Sequence, residues 1–161
     1  MFEVSARTDG WLGLGLSPTG TMAGADIVIG WVDDDNQQYF QDCWAAQNGR
    51  PSVDKKQNWQ LHTARRNESH TMLRFRRDLF TGDPDDVYIS GQPVHVIYAW
   101  RDTPPVSPDR LQYHGRQGRG VVTLCLLHPD CFPPASGAPP PVGTNLAPLV
   151  LLLLLQRWPD F

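Results

Sequence analysis

The feature that most constrains this chain is alternation. Short segments switch between apolar and polar residues at every step, and each is closed by a cluster of Gly, Pro, Asn or Asp. A period of two lines up side chains on one face of an extended strand, whereas an amphipathic helix needs a period of about 3.6. Strands are predicted near Phe2–Ala6, Trp11–Leu16, Ile27–Val32, Gln38–Trp44, Trp59–Arg66, Met72–Arg77, Val94–Trp100 and Val121–Leu127. Turn clusters separate them, among them Ser17-Pro18-Thr19-Gly20, Asp33-Asp34-Asp35-Asn36 and Gly82-Asp83-Pro84-Asp85-Asp86. Many short strands with turn signals between them predict an all-β chain folded as an antiparallel sandwich.

A chain of 161 residues, 40% of them hydrophobic and six of them Trp, has material for one domain with a core, expected over residues 1–128. From Pro129 the composition changes. Pro133-Pro134-Ala135-Ser136-Gly137-Ala138-Pro139-Pro140-Pro141 can form neither ladder nor helix, so residues 129–161 are predicted to be a Pro-rich, disordered tail. Its apolar run, Leu146–Leu155, is interrupted by Pro148 and is shorter than the ~20 residues a membrane-crossing helix needs. A lipid-anchor signal is an alternative for this tail, opposed by its polar ending at Gln156-Arg157-Trp158-Pro159-Asp160-Phe161. Alternation begins at Phe2 with no signal peptide before it, which leads us to expect a truncated chain lacking its first strand.

Charge and motifs narrow the chemistry. A net charge of −3 with scattered basic residues argues against a nucleic-acid partner. None of the five histidines are adjacent, alternate or spaced i, i+4, so no local metal pair exists, and nucleophile elbows, P-loops and dinucleotide fingerprints are absent. Three cysteines form no disulfide framework; Cys125 and Cys131 are near enough to close a small loop, which would leave Cys43 unpaired. Asn67-Glu68-Ser69 is a glycosylation sequon and points to a secreted glycoprotein. Gly13 and Gly15 share one face of their strand and leave room there for tight packing or for a ligand. Asp26 stands at the entry of an apolar strand, where a carboxylate bonds turn amides or a hard cation; Asp42, inside a strand, needs a partner if buried.

Three stretches, Gly10-Trp11-Leu12-Gly13-Leu14-Gly15-Leu16-Ser17-Pro18, Met22-Ala23-Gly24-Ala25-Asp26-Ile27-Val28 and Tyr39-Phe40-Gln41-Asp42, together resemble the DOMON domain of the dopamine β-hydroxylase-like copper monooxygenases. Further likeness runs through Asn58-Trp59-Gln60-Leu61, Val94–Trp100 and Tyr113-His114, so that it covers roughly residues 2–128. The resemblance implies an immunoglobulin-like β-sandwich in the secretory pathway or outside the cell, accessory to two copper-binding, ascorbate-dependent catalytic domains. The histidine clusters that would hold the copper have no counterpart here, so this chain alone is not expected to be an enzyme. Its expected partners are those catalytic domains or a small ligand. The alternative is an independent extracellular domain binding haem or a sugar.

The resemblance also nominates sites. One is a calcium-like cation site formed by Asp26, the carbonyls of Ile27 and Cys43, and Asn58, where relatives carry a carboxylate in place of the amide. The other is a haem held by Met22 and His114, similar to the axial ligands of cytochrome members of the family. Relatives often carry a cysteine where this chain has Gly82, so a bridge to the rest of such an enzyme is not expected from that position.

Overall fold

The computed structural model describes residues 1–128, residue 131 and the backbone of 149–152. Ten strands are present: β1 (Phe2–Ala6), β2 (Trp11–Ser17), β3 (Ala25–Val32), β4 (Gln38–Ala45), β5 (Ser52–Val53), β6 (Gln60–Arg66), β7 (Thr71–Arg76), β8 (Val94–Arg101), β9 (Arg119–Leu124) and β10 (Leu149–Leu152). They form two antiparallel sheets, one ordered β10-β1-β7-β6 and the other β5-β4-β3-β2-β8-β9. No helix occurs among the described residues. This is the all-β sandwich that alternation predicts.

The four-stranded sheet obeys that alternation simply. Phe2, Val4 and Ala6 of β1 and Leu73 and Phe75 of β7 point into the core, while the residues between them are more exposed. The six-stranded sheet does not. β2 and β3 are buried at every position, because both faces of this sheet carry apolar side chains. Leu12, Leu14, Leu16, Val28 and Val96 face the other sheet and form the main core with Phe75 and Trp59. Trp11, Ile27, Ile29, Trp31 and Cys43 form a second cluster. An antiparallel sheet with one covered face normally presents polar residues on the other, and this departure is what creates the cavity described below.

Two glycines show how tightly the chain packs, Gly30 between the sheets and Gly15 within the six-stranded one. A methyl group at Gly30 would lie 2.9 Å from Leu73 of the opposite sheet, and one at Gly15 would lie 2.9 Å from Ile27. The expected face-sharing by Gly13 and Gly15 thus serves tight packing by Ile27 and Ile97 over Gly15, and both glycines also border the cavity.

Three local features differ from the sequence expectation. β9 begins and ends earlier than predicted, because the chain turns away at Cys125 to form a disulfide with Cys131, leaving Cys43 as a free, buried thiol. The two-residue β5 has no periodicity to read; it pairs with Cys43 and Trp44 of β4. Where the tail was expected to lack regular structure, Leu149–Leu152 pairs antiparallel with Ala6–Glu3 and covers the β1 edge that the sequence left open. The Pro-rich stretch itself lies outside the described residues.

Candidate functional site

The start of β3 brings a carboxylate into the core. Asp26 shares its face with Val28, so its side chain lies between the sheets and is 1% exposed. Three elements neutralise it. The Trp59 indole donates to it at 2.6 Å, the Val87 amide donates at 3.3 Å, and the buried Arg77 guanidinium forms an ion pair with it. Arg77 also donates to the Val87 carbonyl and lies 4.7 Å from the centre of the Trp59 ring. Its position is set by β7: Leu73, Phe75 and Arg77 share the inward parity, so the last of them is carried into the core. Burial lowers the Arg77 pKa, with Asp86 and Asp78 opposing, and a guanidinium so basic stays charged.

A second buried carboxylate lies alongside. One oxygen of Asp42 accepts from the Asn58 amide at 2.7 Å and the Trp59 amide at 3.2 Å. Its other oxygen is buried with no hydrogen-bond partner among the described residues. Burial pushes the carboxyl up to about 6, against the pull of those two amides. Asn58 turns its side-chain amide to Asp86 at 2.7 Å, and ligand oxygens of Asp26, Asp42 and Asp86 lie within 4.8 Å of one another. Three carboxylates and one guanidinium leave a surplus of negative charge, concentrated at Asp42 and Asp86 because Arg77 is paired with Asp26. An all-oxygen donor set with an unsatisfied buried oxygen fits a hard cation such as calcium.

The residues nominated from sequence are partly gathered here. Asp26 and Asn58 lie in the same network, bridged by the Asp42–Asn58 and Trp59 contacts. Ile27 and Cys43 face one another across β3 and β4. The backbone N–H and C=O of Asp42 are both taken on the β5 side by Gln57, so ladder alternation turns those of Cys43 towards Ile27. Asp86 and Arg77 were not nominated. A polar residue at the apolar parity of β7 was the available signal for Arg77; nothing local distinguished Asp86 from the other turn aspartates around it.

The second site is a cavity of about 790 Å³ over the far face of the six-stranded sheet. Gly13, Gly15, Ile27, Ile97 and Trp11 contribute to its walls, as do both nominated haem ligands, Met22 and His114. Met22 is carried by a loop pinned at Ser17, whose hydroxyl donates to Thr21 O at 2.6 Å and accepts from the Gly20 amide at 2.9 Å. Gly20 and Gly24 adopt φ of +77° and +73°, which favours glycine at both turns. His114 is carried by a loop fastened by Arg101, which donates to the Tyr113 carbonyl at 2.7 Å and to Gln112 at 3.0 Å. Nδ1 of His114 lies 2.6 Å from the Gly115 carbonyl, which fixes the proton there and leaves Nε2 as a lone-pair donor. Burial lowers the imidazole pKa, with the Gly115 bond opposing, which favours the neutral ring. Trp11 packs edge-on to it at 6.3 Å between centroids.

Asn67 occupies an exposed turn and accepts hydrogen bonds from Ser69 and His70. Gly82 is exposed at φ +72° with no neighbour over it. Among the described residues, both groups of side chains able to converge on a metal are carboxylates only, and neither includes a histidine.

The model of the DOMON domain matches residues 1–101. MOXD1 homolog 2 of Drosophila melanogaster is 45% identical over 133 residues, covering 78% of this chain and 17% of that protein. DBH-like monooxygenase protein 1 of Homo sapiens is 38% identical, covering 80% and 21%, and dopamine beta-hydroxylase of Rattus norvegicus is 34% identical, covering 86% and 22%. The chain therefore spans about a fifth of the length of these relatives. Among solved structures, the cytochrome domain of Myriococcum thermophilum cellobiose dehydrogenase aligns with a TM-score of 0.59 at 21% identity, covering 81% of this chain and 67% of that one. That likeness is one of fold.

Proposed function

Because this chain belongs to the DOMON domain family, and is homologous to one part of much longer DBH-like monooxygenases, we propose that it is an accessory module of a copper- and ascorbate-dependent monooxygenase. The observation that carries this reading is identity of 34–45% confined to about a fifth of each relative. The carboxylate-only donor groups fit a module that contributes no copper ligands of its own. Its partners are then the copper-bearing catalytic domains. The disulfide between Cys125 and Cys131 and the exposed sequon at Asn67 support a secretory or extracellular setting. Sedimentation of this protein with the two catalytic domains of the human relative tests the proposal: a defined complex is expected, and independent sedimentation at micromolar concentrations refutes it.

Within this module the acidic network is a cation site. Asp42 and Asp86 supply the unneutralised charge, Asp26 joins them, and the Asn58 amide oxygen is the proposed neutral donor, the carbonyls of Ile27 and Cys43 being taken by each other's amides in the β3–β4 ladder. Retention of Arg77 beside Asp26 makes binding weak, because one charge is already balanced. Calorimetry with calcium reads this directly, and absence of heat at millimolar metal disposes of it.

A second reading is favoured by one observation, that Met22 and His114 border the same apolar cavity. Met22 and His114, the latter with Nδ1 already bound to the Gly115 carbonyl, would be the residues that hold a haem iron, and the group would supply electron-transfer chemistry. Hemin titration should then give a sharpened Soret band, lost in Met22→Ala and His114→Ala. A spectrum unchanged from free hemin rejects this reading.

A further inference from the structure

The cavity over the six-stranded sheet has walls of one kind and a mouth of another. Its lining is mostly glycine and apolar residues, Trp11, Ile27, Ile29, Ile97 and Leu111 among them, with neutral polar groups at Thr21, Asn48 and Gln112. Three exposed arginines, Arg50, Arg116 and Arg119, also border it, and no Asp or Glu does. In a chain of net charge −3 this is a local reversal of sign. Among the described residues none of the three forms an ion pair; Arg50 donates only to the Asp109 carbonyl, which leaves its charge unbalanced.

We propose that this cavity binds a small apolar anion, a molecule whose rigid hydrophobic body fills the trough over Gly13 and Gly15 while its carboxylate or sulfonate meets Arg50, Arg116 and Arg119. The apolar body supplies affinity by leaving water, and the arginines supply selection for charge. The inference deepens the ligand-binding reading of this cavity but does not require iron ligation by Met22 or His114. Selection by arginine also differs from what a stacking sugar site would show, since a neutral sugar has no charge to pair with three cations.

Two dyes of matched shape test it on the full chain: anilinonaphthalene sulfonate and its uncharged analogue, N-phenyl-naphthylamine. The sulfonate is expected to bind roughly tenfold more tightly, a preference that shrinks as salt is raised. The variant R50Q/R116Q/R119Q, altered only at exposed positions, should lose that preference while keeping its affinity for the uncharged dye. Ala99→Phe, which narrows the cavity, should weaken both dyes. Equal binding of the two dyes, or a preference surviving the triple variant, overturns the proposal. Unchanged binding of both dyes to a cooperatively folded Ala99→Phe protein also overturns it, since the dyes would then sit elsewhere. Hemin separates this from the haem reading. Retained charge preference without a Soret change removes only the iron ligation, whereas a Soret change in a protein with no charge preference removes only the present proposal.

Discussion

The Asp26–Arg77 pair offers the sharpest test of how this sandwich is held together. Both side chains are at most 1% exposed, so each charge depends on the other for compensation. Arg77→Met keeps much of the volume over Trp59 but strands the carboxylate, leaving it the Trp59 and Val87 donors alone. Breaking a buried pair from one side costs about 3–5 kcal/mol. At about 4 °C per kcal/mol for a domain of this size, melting should fall by about 12–20 °C. Asp26→Asn alone should also destabilise strongly, by burying an unpaired guanidinium. The double variant Asp26→Asn/Arg77→Met removes both charges while leaving an amide oxygen for the Trp59 indole, and should recover most of the loss, to within about 2 kcal/mol of the parent. Urea unfolding followed by tryptophan fluorescence at neutral pH measures all four proteins, with acidification expected to relieve Arg77→Met in part by protonating the stranded carboxylate. If the double variant loses the sum of the two single losses, the charges do not compensate one another and the account of this core is wrong.

Asp42 gives the domain a pH dependence of defined sign. Its carboxyl is pushed up to about 6 in the folded protein from an ordinary value of 3.8, chiefly by burial, so the folded state holds the proton more tightly than the unfolded one. Its contribution is therefore most favourable below about pH 4, and up to about 3 kcal/mol is lost as pH rises to about 6 and beyond. Melting curves in chelator should show this loss for the parent and a flatter profile for Asp42→Asn, and calcium should restore stability only to the parent. Gly15→Val places atoms where Ile27 and Ile97 already pack, at 2.9 and 3.0 Å from a methyl, and is expected to cost about 1–3 kcal/mol in thermal unfolding. Replacing Cys125 and Cys131 by Ser opens a small loop that holds the buried Leu126, with an expected cost of about 2 kcal/mol by denaturant titration. Identical midpoints with and without the bridge would contradict that estimate.

The sequence by itself determined eight of the ten strands and the antiparallel class of their pairing. Alternation in Phe2–Ala6, the glycine-punctuated run from Trp11 and the strands ending at Val32 and Trp100 are local patterns, because a strand's two faces follow from residue parity alone. It also located Asp26, Asp42, Met22 and His114 as residues with something to explain. What it did not contain was their company. Arg77 and Asp86 reach Asp26 and Asn58 only because β6 and β7 are stacked over β3 and β4, joining residues 28 to 51 positions apart. The cavity likewise draws Arg50 and His114 from two loops and Arg119 from the start of β9, around a sheet whose order is β5-β4-β3-β2-β8-β9. A strand's own sequence fixes which way each side chain points, but the layer it points at is chosen by sheet order and by the packing of one sheet on the other. In this protein that choice assembled both candidate sites.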